Sequence, residues 1–497
     1  MDEITVEAIY EDSSLIIRDT LNNRVSRFGF EPLEQLNITE ASETPFPVST
    51  EVSVATKKIT IPVSVSVYIR AQDRQMHGHV THNSRASYPQ GEYYLELSTA
   101  VKTYLHFSSS FEITSSGDAI TIELPEKVQT TLATRAYANQ PPTTIQTTPD
   151  LHDLRVAITA LSAGQLDSPE RSYPLLRPHP PAVELSNTTD FSTIDFAVHP
   201  DLSIVIPESI DGLFSTAPLA FYLRSDIEFG TNPRLIAGDV EYPLGDNYQD
   251  RLATILKQVF YCDCLVRTAG LYQVDLNGLE QARGLFSSDL GSIYDFGIEE
   301  QVQEYLSIDF GKLESQMPQW LLSAYVSSQP KSIEALPYLL DELALIRTQS
   351  TSKISNPDLK KEALDLFLRS PDDTNTSNPT SDDQFLPSRY EYIKVHEDES
   401  KHHTYVGDEI SLNSNLFMRC GYENRQNKPL RDRPIKVAIV CNDVDMADEV
   451  REVRNVYGNR ESLSFDLEIF DPVSKQRLAE ILKSKYDFLH YIGHAVH

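Results

Sequence analysis

The histidines near the carboxyl-terminal end of the chain are the side chains whose surroundings point most directly to chemistry. His494 follows the apolar segment 488–492 and Gly493, a residue that lets the backbone turn sharply after a strand. An imidazole titrates near neutral pH and can accept or release a proton during a reaction. His490 and His497 lie close by and are alternatives for this role. We take His494 as the candidate general base or acid.

The cysteines are the next candidates, because a thiolate beside an imidazole is a nucleophile. All of them precede His494 in the chain. They are Cys262, Cys264, Cys420 and Cys441. Cys441 follows the apolar segment 436–440, and we interpret it as a small buried residue at the end of a strand. A catalytic dyad of Cys441 with His494 is the alternative.

Three histidines in a short segment have a spacing that can present imidazoles to one metal ion. They are His77, His79 and His82. Thr81 stands where the related hydrolase motif carries an acidic residue, so we expect a polar loop here rather than a metal site.

Two other clusters suggest structural roles. The segment 262–264 (Cys-Asp-Cys) ends a helical apolar face without a second cysteine pair, which favours structural thiols over a zinc site. The pair 402–403 (His-His) lies beside the acidic segment 397–399, and we expect solvated linker charge. No glycine-rich phosphate loop follows Val440. The sequence therefore predicts no metal and no cofactor.

The elements that must position His494 are two strand–helix units and a third strand within residues 433–497. Segment 436–440 is β-branched and apolar, as a parallel strand buried on both faces requires. Helical patterns follow Asp445 and Ser474. Segment 463–469 alternates between apolar and polar residues, which indicates a strand at a sheet edge. The pattern predicts a parallel βαβαβ unit with reactive groups at the carboxyl ends of its strands.

This terminal segment resembles the beginning of a CHAT domain, a caspase-like cysteine peptidase family related to separase. The resemblance rests on the run 488–494 (FLHYIGH) and on the preceding unit that starts at 436–443 (KVAIVCND). It implies that the catalytic histidine follows the third strand, at His494, and that the catalytic cysteine follows a fourth strand. The family usually has His-Gly at this point, whereas this chain has Ala495 after the histidine.

The resemblance also implies what the chain lacks. The sequence stops at His497, before any fourth strand, so we expect a truncated piece of a longer protein that is inactive without the catalytic cysteine. In relatives of the caspases, the loop after the first strand helps to form the substrate pocket. Asp443 is a candidate acid in that pocket, where it would favour a basic substrate residue. We expect Asp445 to cap the following helix instead.

The upstream chain divides into four regions that differ in amino-acid composition and hydrophobic pattern. Residues 1–135 predict a mostly-β, sandwich-like domain, residues 136–200 a connecting segment rich in Pro and Thr, residues 201–370 a mixed α/β and mainly helical domain, and residues 371–432 a linker region. Within the first region, the alternation over 59–69 predicts one long strand, and Gly117 predicts a hairpin turn. The overall class is a multidomain protein with an incomplete caspase-like parallel sheet at 433–497.

The charge balance limits the partners. The chain has 73 acidic and 43 basic residues and a formal net charge of −30, which argues against nucleic acid and anionic membranes. The chain lacks a bilayer-length apolar run, a secretory signal and a disulfide framework, so we expect a cytoplasmic protein. Its acidic, lysine-poor composition resembles that of halophile, haloarchaeal-type proteins.

We therefore expect the amino-terminal region of a CHAT-type cysteine peptidase, in which the upstream domains are regulatory or bind a protein partner or a protein substrate. Two other functions remain open. The chain could be a non-catalytic interaction or scaffold protein, or its last segment could be a receiver-like α/β sensor domain.

Overall fold

A computed structural model describes residues 4–9, 13–20, 22–33, 37–40, 44–117, 119–195, 198–199, 201–274, 276, 278–348, 351–353, 391–426, 435–442, 446–458 and 465–493. It shows a mixed α/β chain that is rich in strands and built from several parts. No helix within these ranges is long and apolar enough to cross a membrane. Of the predicted linker region 371–432, residues 371–390 and 427–432 lie outside them.

The first part of the chain is almost entirely antiparallel sheet. Its strands are β1 Ile4–Ile9, β2 Ser14–Asp19, β3 Arg24–Glu31, β4 Asn37–Glu40, β5 Thr50–Ile61, β6 Val67–Ala71, β7 Met76–Val80, β8 Ser84–Tyr88, β9 Glu92–Leu97, β10 Lys102–Ser108, β11 Phe111–Ser116 and β12 Ala119–Arg135. Hydrogen bonds join them, within the described ranges, into one sheet in which β12 pairs with β5, β10 and β11. The sandwich-like layout of this region stays a prediction.

The single strand predicted over 59–69 is wrong, because the structure divides it into β5 and β6. Ile61 ends the first strand and Val67 begins the second. Pro62 between them has no N–H to donate to a ladder, and Val63 is exposed. The hairpin prediction is confirmed: β11 and β12 pair directly, and Gly117 turns the chain with a φ of +58°.

The middle part mixes helices and small sheets around the largest apolar core. Its strands are β13 Thr144–Thr147, β14 Ala182–Leu185, β15 Leu202–Ile206, β16 Asp226–Phe229, β17 Arg234–Ala237, β18 Val240–Pro243, β19 Leu322–Val326, β20 Leu345–Arg347, β21 Thr351–Lys353, β22 Tyr392–Val395, β23 His402–Val406, β24 Ile410–Ser411 and β25 Asn415–Leu416. Its α-helices are α1 Leu151–Ala160, α2 Ile210–Leu223, α3 Tyr248–Val266, α4 Leu279–Arg283, α5 Leu290–Tyr294, α6 Ile298–Ser307, α7 Phe310–Glu314, α8 Leu336–Asp341 and α9 Arg419–Gln426. Short 3-10 helices cover Pro169–Ser172, Arg267–Ala269 and Pro330–Ala335.

Residues 136–200 are not merely the connector that their Pro and Thr content predicts. The buried Arg171 guanidinium donates to the Asp263 carboxylate on α3 over 2.8 Å. Tyr222 and Tyr305 donate their hydroxyls to the same carboxylate, over 2.7 and 3.0 Å. A charge inside a core needs a partner with hydrogen bonds, so this ion pair fastens the segment to the helices. Amino-acid composition indicates exposed turns, but it does not indicate an ion pair between residues that are far apart in the chain.

A second buried ion cluster joins the β-rich part to the middle part. Glu96 on β9 accepts from Arg70 and Lys102 over 3.0 and 2.8 Å, and all three side chains are buried. The Tyr173 hydroxyl also donates to Glu96, over 3.3 Å. Burial alone would raise the pKa of Glu96, but the two cations outweigh it and lower that pKa.

Aromatic side chains pack around this cluster. Phe46 stacks on Tyr104, with 4.4 Å between the ring centroids, and the Tyr104 hydroxyl lies 2.9 Å from that of Tyr272. Arg70 donates to the carbonyl oxygen of Gln273 over 2.8 Å. The two parts therefore meet through a buried interface that is both aromatic and charged.

Replacing Glu96 by glutamine should destabilise the protein strongly, because it leaves two cations buried with no countercharge. We expect the free energy of unfolding to fall by about 3–5 kcal/mol, measured by urea denaturation. Glu31→Gln is the matched control, since it removes the carboxylate of the Glu31–Lys58 cross-strand pair, in which Glu31 is 62% exposed. That change should cost less than about 1 kcal/mol. Equal losses in the two variants would contradict the role of Glu96.

Residues 391–426 of the expected linker region are folded. The pair 402–403 lies in a strand rather than in a linker: His402 is exposed, as expected for solvated charge, whereas the His403 side chain is only 13% exposed. β23 runs parallel to β19 and pairs with it from His402 to Val406. α9 is held by Arg419, which lies 3.3 Å from Glu334 and 3.7 Å from Glu184. The polar residues of this segment do not indicate a strand, because the strand is stabilised by its neighbours in the sheet.

Asp398 organises the approach to β23. Its carboxylate accepts from the Ser323 hydroxyl over 2.6 Å and from the Arg347 guanidinium over 3.3 Å, and His403 lies 3.4 Å away. Burial alone would raise the pKa of Asp398. Hydrogen bonds from Ser323 and Ser400, together with Arg347, outweigh burial and lower this pKa to about 2.

The contribution of Asp398 to stability should depend on pH. A carboxyl with a lowered folded-state pKa stabilises fully above its unfolded pKa of about 3.9, and loses this effect as the pH falls toward 2. We expect Asp398→Asn to cost about 1–2 kcal/mol at pH 5, and clearly less at pH 3, in urea unfolding. Asp246→Asn, at an exposed position, is the control, and its cost in unfolding free energy should be the same at pH 5 and pH 3. A cost that is the same at both pH values would refute the role of the ionised carboxylate.

The last part of the chain alternates strands and helices. Its elements are β26 Ile435–Cys441, α10 Ala447–Gly458, β27 Phe465–Phe470, α11 Lys475–Leu482 and β28 Phe488–Ile492. Two apolar clusters made from this segment's own residues hold it together, one on each face of the sheet.

Candidate functional site

The site that the sequence predicts would lie at the end of a small parallel sheet. β26 is the central strand and pairs in parallel with β27 on one side and β28 on the other. Val437 to Cys441 are all buried, as a strand covered on both faces requires. Parallel pairing brings the carboxyl ends of all three strands to the same edge.

Each face of the sheet is covered by one helix. Met446, which precedes α10, packs with Val450 and Val453 of that helix against one face. On the other face Leu478 and Ile481 of α11 pack against the sheet. The Ser474 hydroxyl accepts from the backbone N–H of Arg477 over 3.1 Å and so caps α11, as the sequence indicates.

The neighbouring ends of β26 and β28 are fastened together by the backbone. Cys441 is in register with Ile492, and the N–H of Asn442 donates to the carbonyl oxygen of Ile492 over 2.9 Å. The Asn442 side chain accepts from the N–H of Val473 over 2.9 Å, which ties in the loop before α11. Gly493 follows with a φ of +148°, a conformation that favours glycine. The residues after Gly493 lie outside the described part of the chain, so the sharp turn predicted after the third strand stays a prediction.

The two site residues of the prediction are not among the described residues. His494 and Asp443 both lie outside them, as do Asp445 and His497. The structure describes Gly493 and Asn442, their immediate neighbours in sequence. That the His494 imidazole and the Asp443 carboxylate lie at the same edge of the sheet stays a prediction.

His490 is described, and its position separates it from His494. It lies inside β28 in register with Ile439, rather than at the end of the strand. Its Nδ1 is 3.3 Å from the hydroxyl of Tyr457 on α10, and the two rings meet edge to face. A half-buried histidine that packs under a helix has an ordinary structural role.

Cys441 is fully buried and belongs to the apolar cluster under α10. Its surroundings are Val437, Ile439 and Ile492, as expected for a small residue that ends a strand. This packing favours the structural interpretation of Cys441 over the alternative of a nucleophile.

β28 forms one outer edge of the sheet within the described part of the chain. Phe488 and Tyr491 on this strand are each 39% exposed, and Val456 on α10 is 56% exposed. Leu482, which the helical pattern places on the buried face of α11, is instead 67% exposed. An outer strand with apolar neighbours can accept another strand.

The histidine segment near residue 80 is not the polar loop that we expected. His77 and His79 lie on β7, which is the last strand in the order β1-β2-β3-β5-β12-β10-β9-β6-β7 of the β-rich sheet. His79 stacks on Tyr68 with 4.5 Å between ring centroids, and His82 Nδ1 is 3.2 Å from the Ser64 hydroxyl. In the segment 262–264, Cys262 packs in the large core and Asp263 pairs with Arg171. These contacts are structural.

One group of potential metal ligands is found among the described residues, and sequence reasoning missed it. The ligand atoms of His199, Asp201 and Glu299 lie within 4.8 Å of one another. Nearly a hundred positions separate the first two from the third. Only the alternation of His199 with Asp201 was visible as a signal in the sequence.

Comparisons of this chain with protein-family models, with curated proteins and with solved structures find no match. The case for a function therefore rests on the geometry of the terminal sheet and on the resemblance of its sequence.

Thiol reactivity should distinguish the cysteines. Cys420 is exposed, whereas Cys262 and Cys441 are buried, and burial raises the pKa of Cys262 and of Cys264. We expect one fast-reacting thiol per chain with Ellman's reagent, because only an accessible thiolate attacks the disulfide. Cys420→Ser should abolish the fast phase, and Cys441→Ser should leave it unchanged. A fast phase that belongs to Cys441 would contradict its burial.

Proposed function

We propose that this chain is the amino-terminal region and the first part of a CHAT-type, caspase-like cysteine peptidase. In this proposal His494 is the general base or acid, and the upstream parts regulate the peptidase or bind a protein. The single observation that carries the proposal is the parallel sheet in the order β27-β26-β28, with Gly493 at a φ of +148° directly before His494 in the sequence.

Three features support this proposal. β26 and β28 are neighbours, as the family's first and third strands are, so His494 follows a strand beside the centre of the sheet. α10 and α11 cover opposite faces, as right-handed crossovers require. The outer edge of β28 is the place where a fourth strand would pair, and Phe488 and Tyr491 are exposed on that strand.

The proposed chemistry needs a thiol from that fourth strand, which would be supplied by a continuation of the chain. His494 would take the proton of the thiol as its sulfur attacks the carbonyl carbon of a peptide bond. The same imidazole would then give the proton to the leaving amine. Asp443 would attract a basic side chain of the substrate by charge complementarity. Without that thiol, no acyl-enzyme would form.

The test begins with the coding sequence beyond codon 497. We expect an apolar strand followed by a cysteine, and peptidase activity from the extended protein on peptides with a basic residue before the cleaved bond. His494→Ala should lower that activity by about 10³-fold or more, as loss of a catalytic base does in other hydrolases. His490→Ala is the matched control and should retain activity.

Two outcomes would refute the peptidase proposal. One is peptide cleavage by the present 497-residue chain that His494→Ala abolishes, because the proposal requires a cysteine from beyond it. The other is a continuation without a cysteine after an apolar strand, or a stop codon, which would favour the non-catalytic scaffold.

A receiver-like sensor domain is the second candidate, because parallel sheets of that type share the order second-first-third strand. Asp471 is exposed directly after β27, and Asp443 follows β26 in sequence. Such acids would bind Mg²⁺. Titration with Mg²⁺ should then show one site, which Asp443→Asn would weaken. Absence of Mg²⁺ binding would remove this candidate.

A further inference from the structure

His199, Asp201 and Glu299 form a compact group on the middle part of the chain. One potential ligand atom from each residue lies within 4.8 Å of those of the other two, and His199 Nε2 is 3.5 Å from Glu299 Oε2. One imidazole and two carboxylates are donors that Mn²⁺, Zn²⁺ and related divalent ions accept. The group does not belong to the proposed peptidase site.

The fold holds each of these residues by its backbone. The N–H of His199 donates to the carbonyl oxygen of Arg224 over 2.8 Å, and the carbonyl oxygen of Asp201 accepts from Gly238 over 2.8 Å. Both residues directly precede β15, and Glu299 lies in the first turn of α6. The side chains therefore start from anchored positions on two elements that pack against the same small sheet.

The position of the Glu299 carboxylate depends on a glycine. A Cβ atom at Gly297 would lie 2.7 Å from Oε1 and 2.9 Å from Oε2 of Glu299, closer than such atoms approach. The absence of a side chain at Gly297 therefore leaves the space in which this carboxylate folds back toward His199. A side chain there would displace one ligand of the group.

Glu299 Oε2 is the most informative atom of the group. It is shielded from solvent and accepts no hydrogen bond from the described residues, although the side chain as a whole is 24% exposed and the His199 imidazole lies 3.5 Å away. An imidazole at that distance compensates a carboxylate oxygen only weakly for its lost hydration. A cation between Oε2 and the imidazole would supply the missing interaction.

The imidazole can turn its lone pair to such an ion. His199 Nδ1 accepts from the N–H of Asp201 over 3.4 Å, at the outer limit of a hydrogen bond. Coordination through Nε2 would move the ring hydrogen to Nδ1 and give up this weak contact. The ion would gain three protein ligands and keep its remaining positions for water.

We propose that His199, Asp201 and Glu299 bind one divalent transition-metal ion, of the Mn²⁺ or Zn²⁺ class, which links the segment before β15 to α6. The bound ion adds a cross-link that only the folded chain offers, so it raises the thermal stability of the protein.

The test titrates Mn²⁺ into the full chain after treatment with a chelator, and follows free Mn²⁺ by electron paramagnetic resonance. The solution contains about 1 M NaCl, which shortens the Debye length to about 3 Å and suppresses diffuse binding to the acidic surface. We expect one saturable site per chain. His199→Ala and Glu299→Gln should each weaken it by more than about tenfold, since even outer partners of metal ligands are worth about 10–100-fold.

His152→Ala is the matched control, because His152 also faces a glutamate, Glu208, at 3.8 Å, but both side chains are largely exposed. This variant should bind Mn²⁺ like the wild type. Mn²⁺ should also raise the melting temperature of the wild type and of His152→Ala, but not that of Glu299→Gln, whose fold is checked by circular dichroism. Absence of a saturable site, or equal binding by all variants, would overturn the proposal and leave a histidine–glutamate contact.

Discussion

The need to neutralise charge inside the protein is the constraint on which the arrangement of the first two parts depends. Glu96, Arg70 and Lys102 lie beneath the contact between the β-rich sheet and the helical layer, and each is buried. An ion in that position is tolerable only if its partners and hydrogen bonds are in place. Aromatic side chains that include Phe46, Tyr104 and Tyr272 pack together at the same contact. Aromatic packing and charge pairing together therefore fix how the β-rich part contacts the middle part.

Arg171 and Asp263 apply the same constraint within the middle part. Their ion pair lies between a segment rich in proline and the long helix α3, and the hydroxyls of Tyr222 and Tyr305 complete the hydrogen bonds of the carboxylate. By contrast, the terminal sheet depends on apolar packing around β26, on clusters made from its own residues. That sheet leaves apolar side chains exposed at β28.

Much of the secondary structure was predictable from periodicity. The strands Ile435–Cys441 and Phe488–Ile492, and the helix Lys475–Leu482 after Ser474, occur where their patterns indicate. Local patterns work here because each element buries a face whose spacing is written in adjacent residues. The predictions fail at 62–66, where a proline interrupts a continuing alternation, and at 402–406, where a polar segment joins a sheet. At 62–66 the missing N–H of Pro62 ends the strand, and at 402–406 pairing with β19 creates one. Hydrophobic periodicity reports neither of these causes.

The amino-acid sequence by itself determined the βαβαβ pattern of the terminal unit, because strand burial and helix caps are local properties. Only the tertiary structure decided which strands are neighbours, which charges meet in the interior, and that His199 and Asp201 approach Glu299. Those contacts join residues far apart in the chain. Their free energy depends on distance and on exclusion of water, two quantities that exist only once the chain has folded.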